Sequence, residues 1–246
     1  MVRRLRYLLC GVFFFLYGFF ALGFAPFMLL PIWTGTGFRR IVRYFYKAFV
    51  FLARCTWLYR VNVGTRTLLS ASAGKSARFP KGSIIVANHI SLIDICVLMA
   101  HLPDSTAIAK AAALKNPVLA TTVRKMFLVN DEDPAQLLTK ARELLKRGTN
   151  IIIFPQGTRE GVKLHRGAAR LAIELQVPVV PVRLKYDPVI LTKHQPWYFV
   201  GDKMIQISVD FGPTMMPPKE NNFHNAKAFT NECWAWITEN STCHEA

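Results

Sequence analysis

The sequence predicts an α/β fold: a largely parallel sheet flanked by helices, preceded by an N-terminal membrane-inserted helical segment. Three observations predict it. Short runs rich in Ile and Val, at Ile84 to Ala87, Ile151 to Phe154 and Val179 to Leu184, alternate with segments of helical character, as strands joined by crossover helices do. Two of these runs stop abruptly in polar clusters, at Asn88-His89 and at Pro155-Gln156-Gly157-Thr158-Arg159, and loops after strands are where such folds carry chemistry. Ahead of them, Tyr7 to Phe38 contains no charged residue.

A chain of 246 residues has room for one globular domain plus an extra element. We expect residues 1–57 to form membrane-inserted and interfacial amphipathic helices and residues 58–246 to form the domain built on the sheet. The net charge is +16, and the first acidic residue in the chain is Asp94. Such one-sided charge suits nucleic acid, an anionic membrane or an anionic substrate. The basic residues are interleaved with long apolar runs, which favours a membrane, and no nucleic-acid-binding signature is present. The five cysteines, Cys10, Cys55, Cys96, Cys233 and Cys243, are odd in number and contain no C-x-x-C pair. That reads as a reduced, cytosol-facing protein, with no metal-site spacing.

Met1 to Arg6 is a basic cap on the uncharged run. About 20 apolar residues suffice to cross a bilayer, so the run is long enough for one span. It is too long for a typical secretory signal, the competing reading, and lacks a clear cleavage site. Pro26 and Pro31 interrupt it, and basic residues flank both ends, so charge bias favours a re-entrant hairpin, turning near Gly18 to Pro26, over a full crossing. Phe38 to Trp57 follows as an amphipathic helix. Arg40, Arg43, Lys47 and Arg54 fall on one side, with Phe38, Ile41, Val42, Phe45, Phe49 and Leu52 opposite. It is expected to lie on anionic lipid; the alternative is a surface helix packed on the domain.

Tyr59 to Val63 reads as the first strand. Leu69 to Pro80 is a small, basic loop. Its Gly74-Lys75-Ser76 suggests a phosphate loop, but Leu69 stands where that signature needs Gly, so a nucleotide site is set aside. Ile84 to Ala87 is a buried strand and Ile90 to Met99 a helix. Thr106 to Lys110 and Met126 to Val129 are short strands around a helix from Asn116 to Lys125. A further helix opens at Asp131 and runs to Arg147, with acids at its start and Gly148 at its stop. Helices at Arg166 to Leu175 and Asn222 to Glu239, and a strand at Met204 to Phe211, complete the set.

His89 sits where a strand hands over to a helix, and Asp94 follows five residues later. In one continuous helix the two would stand about 140° apart. They meet only if His89 stays in the loop and Asp94 lies on the first helical turn, which gives an imidazole base held by a carboxylate. An isolated structural His is the alternative on this stretch alone. The second polar cluster, ending in Arg159, repeats the strand-then-turn plan.

Together these stretches resemble the 1-acylglycerol-3-phosphate O-acyltransferase family of glycerolipid acyltransferases. The family's N-H-x4-D block is matched by Asn88, His89 and Asp94. Its F-P-E-G-T-R block is matched by Phe154 to Arg159, with Gln156 in place of Glu, and its V-P-x-x-P-V block by Val177 to Val182. The resemblance covers about Val61 to Pro213, in matching order and spacing.

It implies that the catalytic domain, residues 58–246, moves an acyl group from acyl-CoA or acyl carrier protein to the sn-2 hydroxyl of lysophosphatidate, with no cofactor and no metal. His89 is then the base and Asp94 its orienter. Gln156, Gly157, Thr158 and Arg159 bind substrate: backbone N–H groups near Gly157 and Thr158 receive the oxyanion, and Arg159 takes the phosphate unless it pairs with Glu160. No G-x-S-x-G elbow is present; Ser91 is a possible nucleophile but reads better as a helix cap. Lys163, His165 and Arg166 either attract a phosphate or the acyl carrier, or form a solvated turn. Val177 to Val182 reads first as core and, by resemblance, as a wall of the acyl pocket. Where the family carries an acceptor-holding Arg, this chain has Asn130.

The expected partners are anionic membrane lipids, lysophosphatidate and the acyl donor, not nucleic acid. The expected location is the inner or cytoplasmic membrane, with the catalytic domain facing the cytosol. The alternatives are the same chemistry on another lyso-lipid, such as a lyso-ornithine lipid or a lysophospholipid, and a membrane-anchored lipid-binding protein without turnover.

Overall fold

A computed structural model of the chain describes residues 2–28, 35–64, 79–115, 117–130, 133–159, 161–196, 199 and 203–239. The Gly74-Lys75-Ser76 stretch, Asp131, Glu132 and Glu160 lie outside the described residues. The elements in order are α1 (Val2–Met28), α2 (Gly35–Cys55), β1 (Tyr59–Gly64), β2 (Ile84–Ala87), α3 (Asp94–His101), β3 (Ser105–Ala109), α4 (Pro117–Met126), β4 (Leu128–Val129), α5 (Pro134–Lys146), β5 (Asn150–Ile153), α6 (Gly167–Leu175), β6 (Val179–Asp187), β7 (Ile205–Phe211) and α7 (Phe223–Glu239). A short 3₁₀ helix, Ala111–Lys115, precedes α4.

The strands form a seven-stranded sheet in the order β1-β7-β6-β2-β5-β3-β4. Every neighbouring pair is parallel except β6 with β7, so the sheet is mixed. β2 is central, with β5 on one side and β6 on the other. Its four residues are all buried, which is why it reads as a continuous apolar run rather than an alternating one. Ile85 and Ala87 face a core shared with α1, α2 and α3. Ile84 and Val86 face the opposite core, which includes Ala172 of α6 and Phe229 of α7. The period of two along the strand divides the two layers.

The N-terminal helices differ from expectation in three respects. First, α1 runs unbroken through Gly18 and Pro26 to Met28, so the chain does not turn there. Facing ring pairs, Phe13 with Phe49 at 5.2 Å and Tyr17 with Phe45 at 4.6 Å, make α1 and α2 an antiparallel hairpin. The Arg6 guanidinium donates to the Trp57 and Lys203 carbonyls, which brings both flanks to the same end.

Second, the apolar side of α2 faces the protein core rather than lipid. Phe38, Val42 and Phe49 are buried there, and Arg39 forks onto Asp104 through Nε and Nη2 at 2.6 and 3.0 Å. The helix therefore shows a mixed outer face, with Tyr44 and Phe51 exposed among Arg40, Lys47 and Arg54.

Third, among the described residues no helix is long and apolar enough to cross a membrane, so the transmembrane helix that the length of the uncharged run allowed is not found. α1 carries Arg3, Arg4 and Arg6 near its start, and its Cys10–Phe13 side is committed to the core. Its other side exposes Leu5, Leu8, Val12, Phe15 and Phe19, which share one face at helical spacing.

Smaller shifts have local causes. α3 starts at Asp94, not Ile90, because the Asp94 carboxylate takes the Ile90 and Ser91 N–H groups and holds them in a turn. α5 starts at Pro134, with the Asp133 side chain as N-cap accepting from Ala135 N–H.

Candidate active site

β2 and β5 are adjacent and parallel, with Val86 beside Ile153, so the loops that follow them emerge side by side at one end of the sheet. His89 leaves the first loop and Gln156 the second. The His89 backbone N–H donates to Gln156 Oε1 at 2.6 Å, and Gln156 Nε2 donates to the Gly161 carbonyl at 2.9 Å. Both ends of the amide are thus held by backbone, so Gln156 braces the two loops. A Glu here would accept the same N–H but set a second acceptor against Gly161. The amide fits both partners of this loop.

His89 Nδ1 lies 2.8 Å from Asp94 Oδ2. A carboxylate accepts, so Nδ1 carries the ring proton and Nε2 is left as the basic nitrogen. The same Oδ2 receives Ile90 N–H at 2.7 Å and Ser91 N–H at 2.9 Å. Oδ1 receives the Tyr186 hydroxyl at 2.5 Å. The Asp94 side chain is fully buried while the His89 side chain is partly exposed, so the pair presents its imidazole outward from an anchored carboxylate. Phe154 stacks on the ring at 4.4 Å between centroids. Asn88 fixes the start of the loop by exchanging two hydrogen bonds with Leu184 of β6, at 2.9 and 2.7 Å.

The sequence placed His89 and Asp94 together because loop and first helical turn are contiguous. It did not reveal Tyr186. β6 continues past Val182, the partner of Ala87, and pairs onward with β7. Val182, Leu184 and Tyr186 share one face of the strand, and this extension delivers the phenol beneath Asp94. Burial, and then the charge of Asp94, push the Tyr186 phenol well above its ordinary range, which keeps it a neutral donor.

Two rival nucleophiles fall away. Ser91 is fully buried and does not cap α3, whose N-cap Ile93 makes no side-chain bond. Burial, reinforced by Asp94, pushes the Cys96 thiol up to about 12, so it is protonated near neutrality and unreactive.

In the second loop Gly157 has φ +65°, the left-handed region that favours glycine. Its N–H donates to the Phe154 carbonyl at 2.9 Å. A Cβ at this position would lie 3.3 Å from the His165 ring and 3.8 Å from Lys110 Cε. Gly157 is thus the point where Lys110 and His165 approach the loop, and Lys110 had no local signal to mark it. Arg159 is half-buried, and its Nη1 donates to the Leu191 and Thr192 carbonyls at 2.7 and 3.1 Å. The Leu191 carbonyl also accepts Leu92 N–H at 3.1 Å, tying Arg159 to the loop that carries His89. Thr158 is exposed, and its hydroxyl donates to the Arg159 carbonyl. Asn130 donates its N–H to Ala109 at the β3–β4 edge. Arg166 lies over the Phe223 ring at 4.0 Å, and Val179 to Val182 are buried strand.

An acyltransferase family model matches residues 60–185, and the chain belongs to the acyltransferase family. The more particular likeness is to 1-acyl-sn-glycerol-3-phosphate acyltransferases, as the three sequence blocks indicate. The chain is 33% identical over 110 residues to the human 1-acyl-sn-glycerol-3-phosphate acyltransferase beta, covering 40% of each protein. It is 32% identical over 130 residues to the 1-acyl-sn-glycerol-3-phosphate acyltransferase of Helicobacter pylori, covering 48% of this chain and 55% of the relative. These alignments span about half or less of the relatives' length. The fold matches the crystal structure of the 1-acyl-sn-glycerophosphate (LPA) acyltransferase PlsC from Thermotoga maritima with a TM-score of 0.67 at 22% identity, over 98% of this chain and 96% of that one.

Proposed function

We propose that the protein is a membrane-bound O-acyltransferase that moves a fatty acyl group from acyl-CoA or acyl carrier protein to the sn-2 hydroxyl of 1-acyl-sn-glycerol-3-phosphate, giving phosphatidate and a free thiol. The observation that carries this reading is the His89–Asp94 pair, with Nδ1 bonded to a fully buried carboxylate and the imidazole partly exposed. Nε2 takes the hydroxyl proton as the oxygen attacks the thioester carbonyl, and Asp94 stabilises the imidazolium that forms. As the tetrahedral intermediate collapses and the C–S bond breaks, the departing thiolate takes that proton from Nε2, which restores the neutral base. The thioester is already activated, so no acyl-enzyme is required.

Arg159 reads the acceptor phosphate. The two carbonyls on Nη1 fix the guanidinium plane, which suits a two-point contact with phosphate oxygens. Lys110, close to Gly157, supplies positive charge there, His165 brings an imidazole beside it, and Thr158 offers an exposed polar edge. Gln156 acts as the brace. Arg159→Ala is expected to raise KM for lysophosphatidate about tenfold or more, as loss of a charged hydrogen bond does, and to change the donor KM less. Steady-state kinetics with a panel of lyso-lipids and both donor types tests the assignment. A rise confined to the donor KM would put Arg159 on the carrier side. Equal use of acceptors without a phosphomonoester would favour another lyso-lipid, a reading that Asn130 in place of the family Arg keeps in view.

Membrane attachment is proposed through the α1–α2 hairpin, with its two ends on the cytosolic face. The exposed stripe of α1 would dip into the leaflet, while Arg40, Lys47 and Arg54 meet anionic headgroups. A basic residue near such a surface contributes about 1 kcal/mol. Replacing Arg40, Lys47 and Arg54 by Gln is expected to weaken binding to vesicles containing phosphatidylglycerol while leaving residual binding through α1. Vesicle flotation checks this; binding unchanged by the substitutions and by added salt would exclude an electrostatic contribution.

A further inference from the structure

We propose that Tyr186, a residue outside all three sequence blocks, is a positioning residue that locks Asp94 in the orientation serving His89. The inference rests on the reading of His89 and Asp94 as base and orienter. Asp94 Oδ2 has three donors, from His89, Ile90 and Ser91, whereas Oδ1 has one among the described residues, the Tyr186 hydroxyl at 2.5 Å. The carboxylate torsion is soft and roughly two-fold. A donor on Oδ1 therefore fixes which oxygen faces the imidazole. The contact also draws negative charge away from Oδ2, because a hydrogen bond to a charged acceptor is among the stronger ones.

The site allows little compensation. Asp94 is fully buried and Tyr186 is 7% exposed, so water has poor access to an orphaned Oδ1. The ring of Tyr186 belongs to the core on the α3 face of the sheet. Phe at this position keeps that packing and removes only the hydroxyl. The strand register holds the phenol in place: Tyr186 pairs with Ile207 and Leu184 with Val209 in the antiparallel β6–β7 ladder. This one antiparallel pairing in the sheet thus serves the site, since it carries β6 beyond the end of β2.

The test is Tyr186→Phe in the purified full chain with lysophosphatidate and an acyl thioester. The expected result is a kcat about 10- to 100-fold lower, with both KM values within about twofold and a melting temperature lowered by several degrees, the cost of leaving one buried acceptor unpaired. The acid limb of kcat/KM is expected to move to higher pH. With Oδ1 unpaired, more charge faces the imidazole, and the imidazolium persists to higher pH. A purely structural role would lower stability without moving that limb.

A double-mutant cycle gives a second readout. If Tyr186 acts through Asp94, adding Tyr186→Phe to Asp94→Asn costs less than about twofold further. An unchanged kcat and pH profile in folded Tyr186→Phe, or full additivity with Asp94→Asn, would overturn the inference. His89→Ala separates the two levels. If it keeps turnover, the base assignment itself is wrong; if it loses turnover while Tyr186→Phe is unaffected, only the role of Tyr186 fails.

Discussion

His89→Ala is expected to lower kcat about 10²–10⁴-fold, the usual cost of losing a general base, while the protein stays folded and bound to membranes. The imidazole is partly exposed, and its Nδ1 contact is to a carboxylate that keeps three other donors without it. The backbone N–H of residue 89 still reaches Gln156, so the loop brace survives. Loss of activity should therefore come without a matching loss of stability, read as kcat against melting temperature. Near-native turnover in the folded variant would remove His89 from the chemistry.

The second large effect is expected from Asp94→Asn. The amide must place its oxygen where Oδ2 stands, because three donors converge there. Its NH₂ then faces the Tyr186 hydroxyl, which can turn to accept. Geometry and the His89 tautomer are thus kept, and what is lost is the negative charge that stabilises the imidazolium. Turnover should fall about 10²-fold or more. Asp94→Ala should cost more in stability than Asp94→Asn, because it strands the Ile90 and Ser91 N–H groups in a buried turn. A melting curve of each variant beside its kcat distinguishes lost charge from lost structure. Equal activity of Asp94→Asn and the unaltered protein would mean that the carboxylate only shapes the loop.

The parts of the site legible in the sequence are those that are local in the chain. His89 and Asp94 are joined by one loop and the first turn of α3, so spacing alone specified their meeting. The apolar runs gave β2, β5 and β6 because central parallel strands are buried on both faces. What was hidden depends on which strands become neighbours. The contact of Gln156 with the His89 N–H needs β2 beside β5, and that of Tyr186 with Asp94 needs β6 to outrun β2. The link from Arg159 to Leu191 joins two loops 32 residues apart. None of these leaves a periodicity.

In the N-terminal hairpin the turn and the buried faces were misread for another reason. Its composition announced an apolar segment, but composition does not say whether protein or lipid covers a given face. Phe38, Val42 and Phe49 went to the core, while Leu8, Phe15 and Phe19 remained outside. Gly18 and Pro26 suggested a break, yet the helix runs through both.

The most direct measurement takes the purified protein in mixed micelles with lysophosphatidate and a long-chain acyl thioester, with thiol release and phosphatidate both quantified. The prediction is one phosphatidate formed for each thiol released, and neither above background with His89→Ala. Thiol release without matching phosphatidate, or release that persists undiminished when His89 is replaced, would contradict it.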